Sequence, residues 1–219
     1  MRFRLVLLLL AWALLSPKGY AGEYAHPKLK SKEKTVRSLV VLPVKAEVTK
    51  SGVKGAEPMM QESQELTVQL ASAIAEALKG EGFDVLENAF SEEAINGNPE
   101  LQGMLTEFQT RYDTLAPQLY KKPKDVTKGR FSLGDEVTDL KVSDSVEALI
   151  ILRASAVETT KAKGFLSGGL GGLIRSGRST EYYLTVVDSH SGEILFFANG
   201  TAGDDVKKGI SKSLRKLPH

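Results

Sequence analysis

Apolar residues recur every fourth position at Leu66, Leu70, Ile74 and Leu78, with Val68, Ala71, Ala75 and Ala77 beside them. That spacing draws one stripe on a helix, and Gly80 and Gly82 predict where it stops. Ahead of it, VRSLVVLPV (Val36 to Val44) is a nearly unbroken β-branched run. Such a run predicts a strand covered on both faces, with Pro43 marking its end or an edge. Behind the helix, FDVL (Phe83 to Leu86) predicts a second strand, so strand, helix and strand form a βαβ unit. The intervening KSGVKGAEP reads as a polar loop with two glycines.

Further along, Leu101, Leu105, Phe108, Tyr112 and Leu115 predict a second helix from Asn98 to Ala116, ended by Pro117. QLYKKPKDVTKGR then reads as a basic linker whose lysines form a solvated face, followed by a helical turn from Gly134 to Leu140. EALIILRASAV (Glu147 to Val157) is a strong strand. TEYYLTVVD and GEILFFANG are two more around a tight turn, and DDVKKGISKSLRKL is a closing helix with acids first and bases last, as the helix dipole favours. The order β-α-β-α-(α)-β-β-β-α implies an α/β fold of the α+β two-layer kind. Its mixed sheet should have about five strands, with helices mainly on one face. Residues 36–217 read as one domain, and 22–35, polar and aperiodic, as a flexible lead-in.

The N-terminus changes the picture of compartment. A basic head (Arg2, Arg4) precedes LVLLLLAWALL (Leu5 to Leu15), then Ser16-Pro17 and the small-x-small triplet Gly19-Tyr20-Ala21. This is the layout of a secretory leader, residues 1–21, cleaved after Ala21. Eleven apolar residues fall short of the roughly 20 that span a bilayer as a helix, although a retained anchor is the rival reading. The leader holds Arg2, Arg4 and Lys18 and no acid, so the 29 basic residues fall to 26 against 27 acidic ones. Near-neutrality argues against nucleic acid as a partner. The chain has no cysteine, hence no disulfide framework and no lipid-acceptor thiol behind the leader. The expected product is exported, periplasmic or at the periplasmic face of the outer membrane, and unlipidated.

Several stretches resemble chemical motifs and fail on context. Gly172, Gly177 and Ser179 stand at phosphate-loop spacing, with Arg178 where the lysine belongs. The β-forming run that follows offers no helix N-terminus to a phosphate. Gly169 and Gly171 begin a dinucleotide fingerprint whose third place is Ile174. Asp188, Ser189 and His190 sit side by side in the last tight turn, where neighbours splay apart rather than forming a relay. His26, His190 and His219 share no ligand spacing. Glu92-Glu93 and Asp204-Asp205 read as helix starts. Lys207, Lys208, Lys212, Arg215 and Lys216 read as a solvated helix face or a contact with anionic lipid. No catalytic, cofactor or metal site is implied, and the chain is not expected to be an enzyme. The glycine-rich loop at 161–179 has two readings, a flexible connection or a contact element. It carries Phe165, Leu166, Leu170, Leu173 and Ile174 with little polar dilution. Five large apolar groups call for cover, so they are the candidate interaction residues.

YYLTVVDSHSGEILFF resembles the lvD-x-x-TGeilw ending of the periplasmic CsgG, LpoB and TolB-N-terminal-like domains, with Ser191 for Thr and Phe196 near the usual Trp. SVEALIIL resembles that group's GADavi strand, and VVLPV followed by LTVQLASAIAEALKGEGFDVLE resembles its first strand, helix and second strand. The resemblance runs in order over roughly residues 36–200. It implies a non-enzymatic domain of the bacterial cell envelope that binds a protein partner or assembles with itself, as an accessory factor in envelope assembly or secretion. Peripheral membrane contact fits the same picture. The alternatives are a membrane-inserting, channel-like oligomer and an enzyme of unrecognised type.

Overall fold

The computed structural model describes residues 22–52, 55–87, 89–159, 178–202 and 206–218. Its axis is a twelve-residue strand, β6 (Ala148–Thr159). Residues 148 to 152 of this strand are all buried. Because alternate residues point to opposite faces, such a run needs cover on both. Ala148, Ile150 and Leu152 pack in one apolar cluster, while Leu149 and Ile151 pack in a second.

Around β6 lie β1 (Gly22–Ala25), β2 (Ser38–Val41), β3 (Lys45–Gly52), β4 (Gly55–Pro58), β5 (Asp84–Val85), β7 (Arg178–Asp188) and β8 (Ile194–Ala202). The order across the sheet is β1-β8-β7-β6-β2-β5, with β3 between β6 and β4. Strand β6 runs parallel to β2 and β3 and antiparallel to β7, and β5 runs parallel to β2, which completes the expected βαβ unit. The sheet is mixed and the fold α/β, as the pattern implies. Eight strands replace the expected five. Val41 pairs with Ile150 and Lys45 with Arg153, so one extra residue is absorbed around Pro43, which has no N–H to give the ladder.

Helix α2 (Met60–Gly80) buries Leu66, Leu70, Ile74 and Leu78 against one face of the sheet. Helix α5 (Val206–Leu214) joins it there through Ile210 and Leu214. The opposite face is covered by α4 (Pro99–Lys121) through Leu105, Phe108, Tyr112 and Leu119. Two 3-10 turns, Pro123–Lys128 and Asp135–Leu140, add Val126, Val137 and Leu140. Helices therefore lie on both faces rather than mainly on one. The difference follows from β6, where the unbroken apolar run demands two layers. Helix α4 also continues past Pro117 instead of ending there. The lost backbone bond and ring clash cost about 3 kcal/mol in a helix interior. Ala116 and Leu119 are buried and Tyr120 stacks on Tyr183 around that point, and this packing offsets the defect.

The expected flexible lead-in is instead tied down. Strand β1 pairs with the outer edge of β8, Ala25 facing Phe196. A one-turn helix α1 (Pro27–Lys30) follows, with the His26 Nδ1 accepting the Lys28 N–H at 3.2 Å. Leu29 is buried, Lys28 pairs with Glu193 at 2.6 Å, and Lys34 pairs with Asp188. Part of the expected polar loop is likewise the β3–β4 hairpin. A short helix α3 (Glu92–Asn96) starts at Ser91, whose hydroxyl accepts the Ala94 N–H at 3.2 Å, so Glu92 and Glu93 are the helix-start residues that the sequence indicates.

Candidate docking surface

Beyond Leu152 the sheet changes character. Lys45, Arg153, Tyr183 and Asn199 pair across β3, β6, β7 and β8, and Glu47, Ser155, Glu181 and Thr201 form the next row. Thr49, Val157 and Ser179 form a third. The second row is wholly exposed, as is Val157 in the third. The intervening residues Ala46, Val48, Ala154, Ala156, Thr180 and Tyr182 point the other way and are buried. Tyr182 reaches Ser213 of α5 at 3.2 Å. One face of this sheet end is thus packed by helices, while among the described residues the α4 side stays open.

Where the open face meets α4, Lys45, Glu47, Asp113, Pro117, Tyr120, Arg153 and Tyr183 line a groove of about 390 Å³. Its groups are held firmly. The Arg153 guanidinium lies 5.4 Å from the centre of the Tyr112 ring and donates to Asp113 at 3.4 Å. Lys45 is 3.8 Å from the same carboxylate. Tyr120 stacks on Tyr183 with 4.1 Å between ring centres, and Phe197 lies 5.9 Å from Tyr120. The Tyr183 hydroxyl donates to Glu181 at 3.2 Å. Burial first, then the Glu181 charge, pushes its pKa up to about 12, and burial also raises that of Tyr120. Both rings remain neutral hydrogen-bond donors at ordinary pH. The groove offers an aromatic platform with charges of both signs, and Lys45 and Arg153 both turn to Asp113. The Asn199 Oδ1 on the first row is buried and accepts no hydrogen bond among the described residues.

Thr159 pairs with Ser51, Arg178 with Glu158, and Ala202 with Thr180. The connection from β6 to β7 therefore departs from the end of the sheet that carries the open face. Phe165, Leu166, Leu170, Leu173 and Ile174 belong to that connection and lie outside the described residues, as do the leader, His219 and Asp204-Asp205. Ser179 sits near the start of β7, so no helix begins behind the phosphate-loop look-alike.

The final turn differs in detail from the splayed arrangement. Ser189 and His190 do touch, Oγ to Nδ1, at 2.9 Å. The Ser189 hydroxyl also donates to the Val146 carbonyl. Asp188 turns away from the ring: its Oδ1 accepts the His190 and Ser191 N–H groups at 2.9 and 3.0 Å, and its other oxygen meets Lys34. The carboxylate shapes the turn and does not orient the imidazole. His26 is a buried helix cap. Among the described residues no three His, Asp or Glu side chains converge as metal ligands. The basic residues of the closing segment are largely paired: Lys207 with Glu76, Arg215 with Glu81 at 2.9 Å, and Lys216 with Glu23 at 3.0 Å.

The sequence reading did not single out Arg153, Asp113, Tyr120 or Tyr183. A signal existed, because the stripe Leu105, Phe108, Tyr112 continues at Ala116, Leu119 and Tyr120 beyond Pro117.

No protein-family model matches the chain and no curated protein does. Solved structures similar to it include the PelC dodecamer from Paraburkholderia phytofirmans, at 11% identity over 91% of this chain and 97% of that one, with a TM-score of 0.42. A lipoprotein from Neisseria meningitidis aligns at 13% identity over 81% and 94%, with a TM-score of 0.37. The LpoB C-terminal domain from Salmonella enterica aligns at 13% over 81% and 95%, with a TM-score of 0.31. These are loose likenesses of fold. No helix among the described residues is long and apolar enough to cross a membrane.

Proposed function

We propose that this chain is a non-enzymatic envelope protein, exported by its leader and unlipidated, which docks a protein partner or further copies of itself through the open end of its sheet. One observation supports this above others. Among the described residues, the rows beyond Lys45–Arg153–Tyr183–Asn199 present an exposed face bordered by the α4 groove, while the reverse of the same strands is packed by α2 and α5. Preformed side chains with mutual pairing lose little freedom on association, which favours binding. The same groups lack the converging acid, base and nucleophile that a reaction centre needs. The apolar residues of the 161–179 loop extend the reading, since that loop joins β6 to β7 beside the open face.

The test compares three proteins produced with the leader and recovered after processing: the intact chain, Arg153→Glu with Tyr183→Ala, and Leu166→Ser with Leu170→Ser and Ile174→Ser. Each is measured for self-association by size-exclusion chromatography with light scattering, and for partner recovery by pull-down from envelope extract. Loss of an assembly or of a reproducible partner in either variant, with an unchanged melting profile, supports docking. Identical behaviour of all three counts against it. A large assembly that forms only with lipid or detergent favours a membrane-inserting oligomer, and turnover of a substrate by the intact chain would make it an enzyme.

A further inference from the structure

Two basic stretches, distant in sequence, meet at one edge of the fold. The first is the arm around α1, with Lys28, Lys30, Lys32 and Lys34; the second runs from the end of α4 through the first 3-10 turn, with Lys121, Lys122, Lys124, Lys128 and Arg130. They touch where His26 lies over Gly129, whose backbone has φ +63° and where an added Cβ would be 2.6 Å from the His26 Nε2. The two stretches hold nine bases and only two acids, Glu33 and Asp125. Some of this charge is neutralised. Lys28 meets Glu193, Lys34 meets Asp188, and Asp125 serves both Lys128 and Arg130 at 2.9 and 3.8 Å. Lys30, Lys32, Lys121, Lys122 and Lys124 are exposed and carry no ion pair among the described residues.

From this juxtaposition we infer that the β1 edge is a docking face for an anionic lipid surface. The inference rests on the envelope reading and adds a lipid partner to it. Two observations favour lipid. The processed chain is close to neutral, so the nine bases are a local excess. An edge charged in this way turns towards a negative plane. The five basic side chains without an ion pair are lysines on short turns and helix ends, which suit a fluid, diffuse field better than the bidentate geometry of a single phosphate site.

The test uses the processed full chain and sedimentation with vesicles, either phosphatidylcholine alone or equal parts phosphatidylglycerol and phosphatidylcholine. A lysine at an anionic surface shifts partitioning on the order of fivefold. Lys30→Gln, Lys32→Gln, Lys122→Gln and Lys124→Gln together should therefore lower binding to the anionic vesicles at least about tenfold. Lys50→Gln with Lys79→Gln, on β3 and at the end of α2 beside β5, should leave it unchanged. Binding should vanish at high salt and on neutral vesicles. Absence of anionic-vesicle binding, or equal binding by the four-site and control variants, overturns the inference. So does retention on heparin without vesicle binding, which would assign the edge to a soluble polyanion. The vesicle assay contains no partner protein, so its failure leaves the docking face at Arg153 and Tyr183 standing.

Discussion

Tyr112 links the α4 layer to the open sheet face, and its hydroxyl gives a sharp test of how that layer is held. Tyr112 and Thr185 are both fully buried, and their hydroxyls lie 2.8 Å apart. The Tyr120 hydroxyl is 3.4 Å from that of Tyr112. Tyr112→Phe removes one oxygen and almost no volume, so packing is retained and the cost comes from hydrogen bonding. A net hydrogen bond contributes about 1 kcal/mol, and a stranded buried hydroxyl costs about 1–3 kcal/mol. The expected loss is about 1–2 kcal/mol, a fall in Tm of roughly 3–6 °C for a chain of this size. Thr185→Val should cost less, because the Tyr112 hydroxyl keeps Tyr120 nearby. In the double variant neither partner of the 2.8 Å bond is left behind, so its loss should be smaller than the sum of the singles by about 1 kcal/mol. Urea unfolding of the four proteins measures this cycle. Additive losses, or a neutral Tyr112→Phe, would refute the buried bond. The phenyl ring still lies beneath Arg153, so docking through the open face should be unaffected by Tyr112→Phe.

Gly192 has φ +69°, and a Cβ there would be 2.2 Å from the Gly134 carbonyl oxygen. Gly192→Ala should therefore destabilise by more than about 1 kcal/mol, and an unchanged melting temperature would contradict the close approach of the two loops. The second prediction concerns acid. Burial holds the His26 imidazole below its usual pKa of 6.5, with Lys28 reinforcing and Glu193 and Glu33 opposing. A lowered folded pKa means that this contribution is complete above about pH 6.5 and is lost as pH falls through the folded value. His26→Asn retains a side-chain acceptor for the Lys28 N–H and has nothing to titrate. The melting temperature of the parent should therefore fall relative to His26→Asn on acidification, and parallel curves would show that His26 does not carry the effect.

Burial periodicity carried most of what could be read in advance. Leu66, Leu70, Ile74 and Leu78 face the sheet as their spacing requires, and the run from Ala148 to Leu152 is a central strand. The short polar strands escaped, because β1 and β4 are four residues each and are stabilised by the edge that they join. Pro117 was misleading for a related reason: a local rule about helix ends yields when Leu119 and Tyr120 pack beyond it. The lysines of 121–130 read as a solvated face and those of 28–34 as part of a flexible lead-in. Their meeting depends on His26 lying against Gly129, about one hundred residues away along the chain.

By itself the sequence determined the absence of cysteine and so of disulfides, the major strands and helices, and hence a mixed α/β sheet. All of these follow from local composition and from periods of two or 3.6 residues, which a linear string displays directly. Only the tertiary structure decided that both faces of the sheet are covered, that among the described residues one end stays open on the α4 side, and that Arg153, Asp113, Tyr120 and Tyr183 share a groove. Those outcomes depend on register between distant strands and on where α4 crosses them. Register is set by many weak contacts acting together, and no single stretch of residues records it.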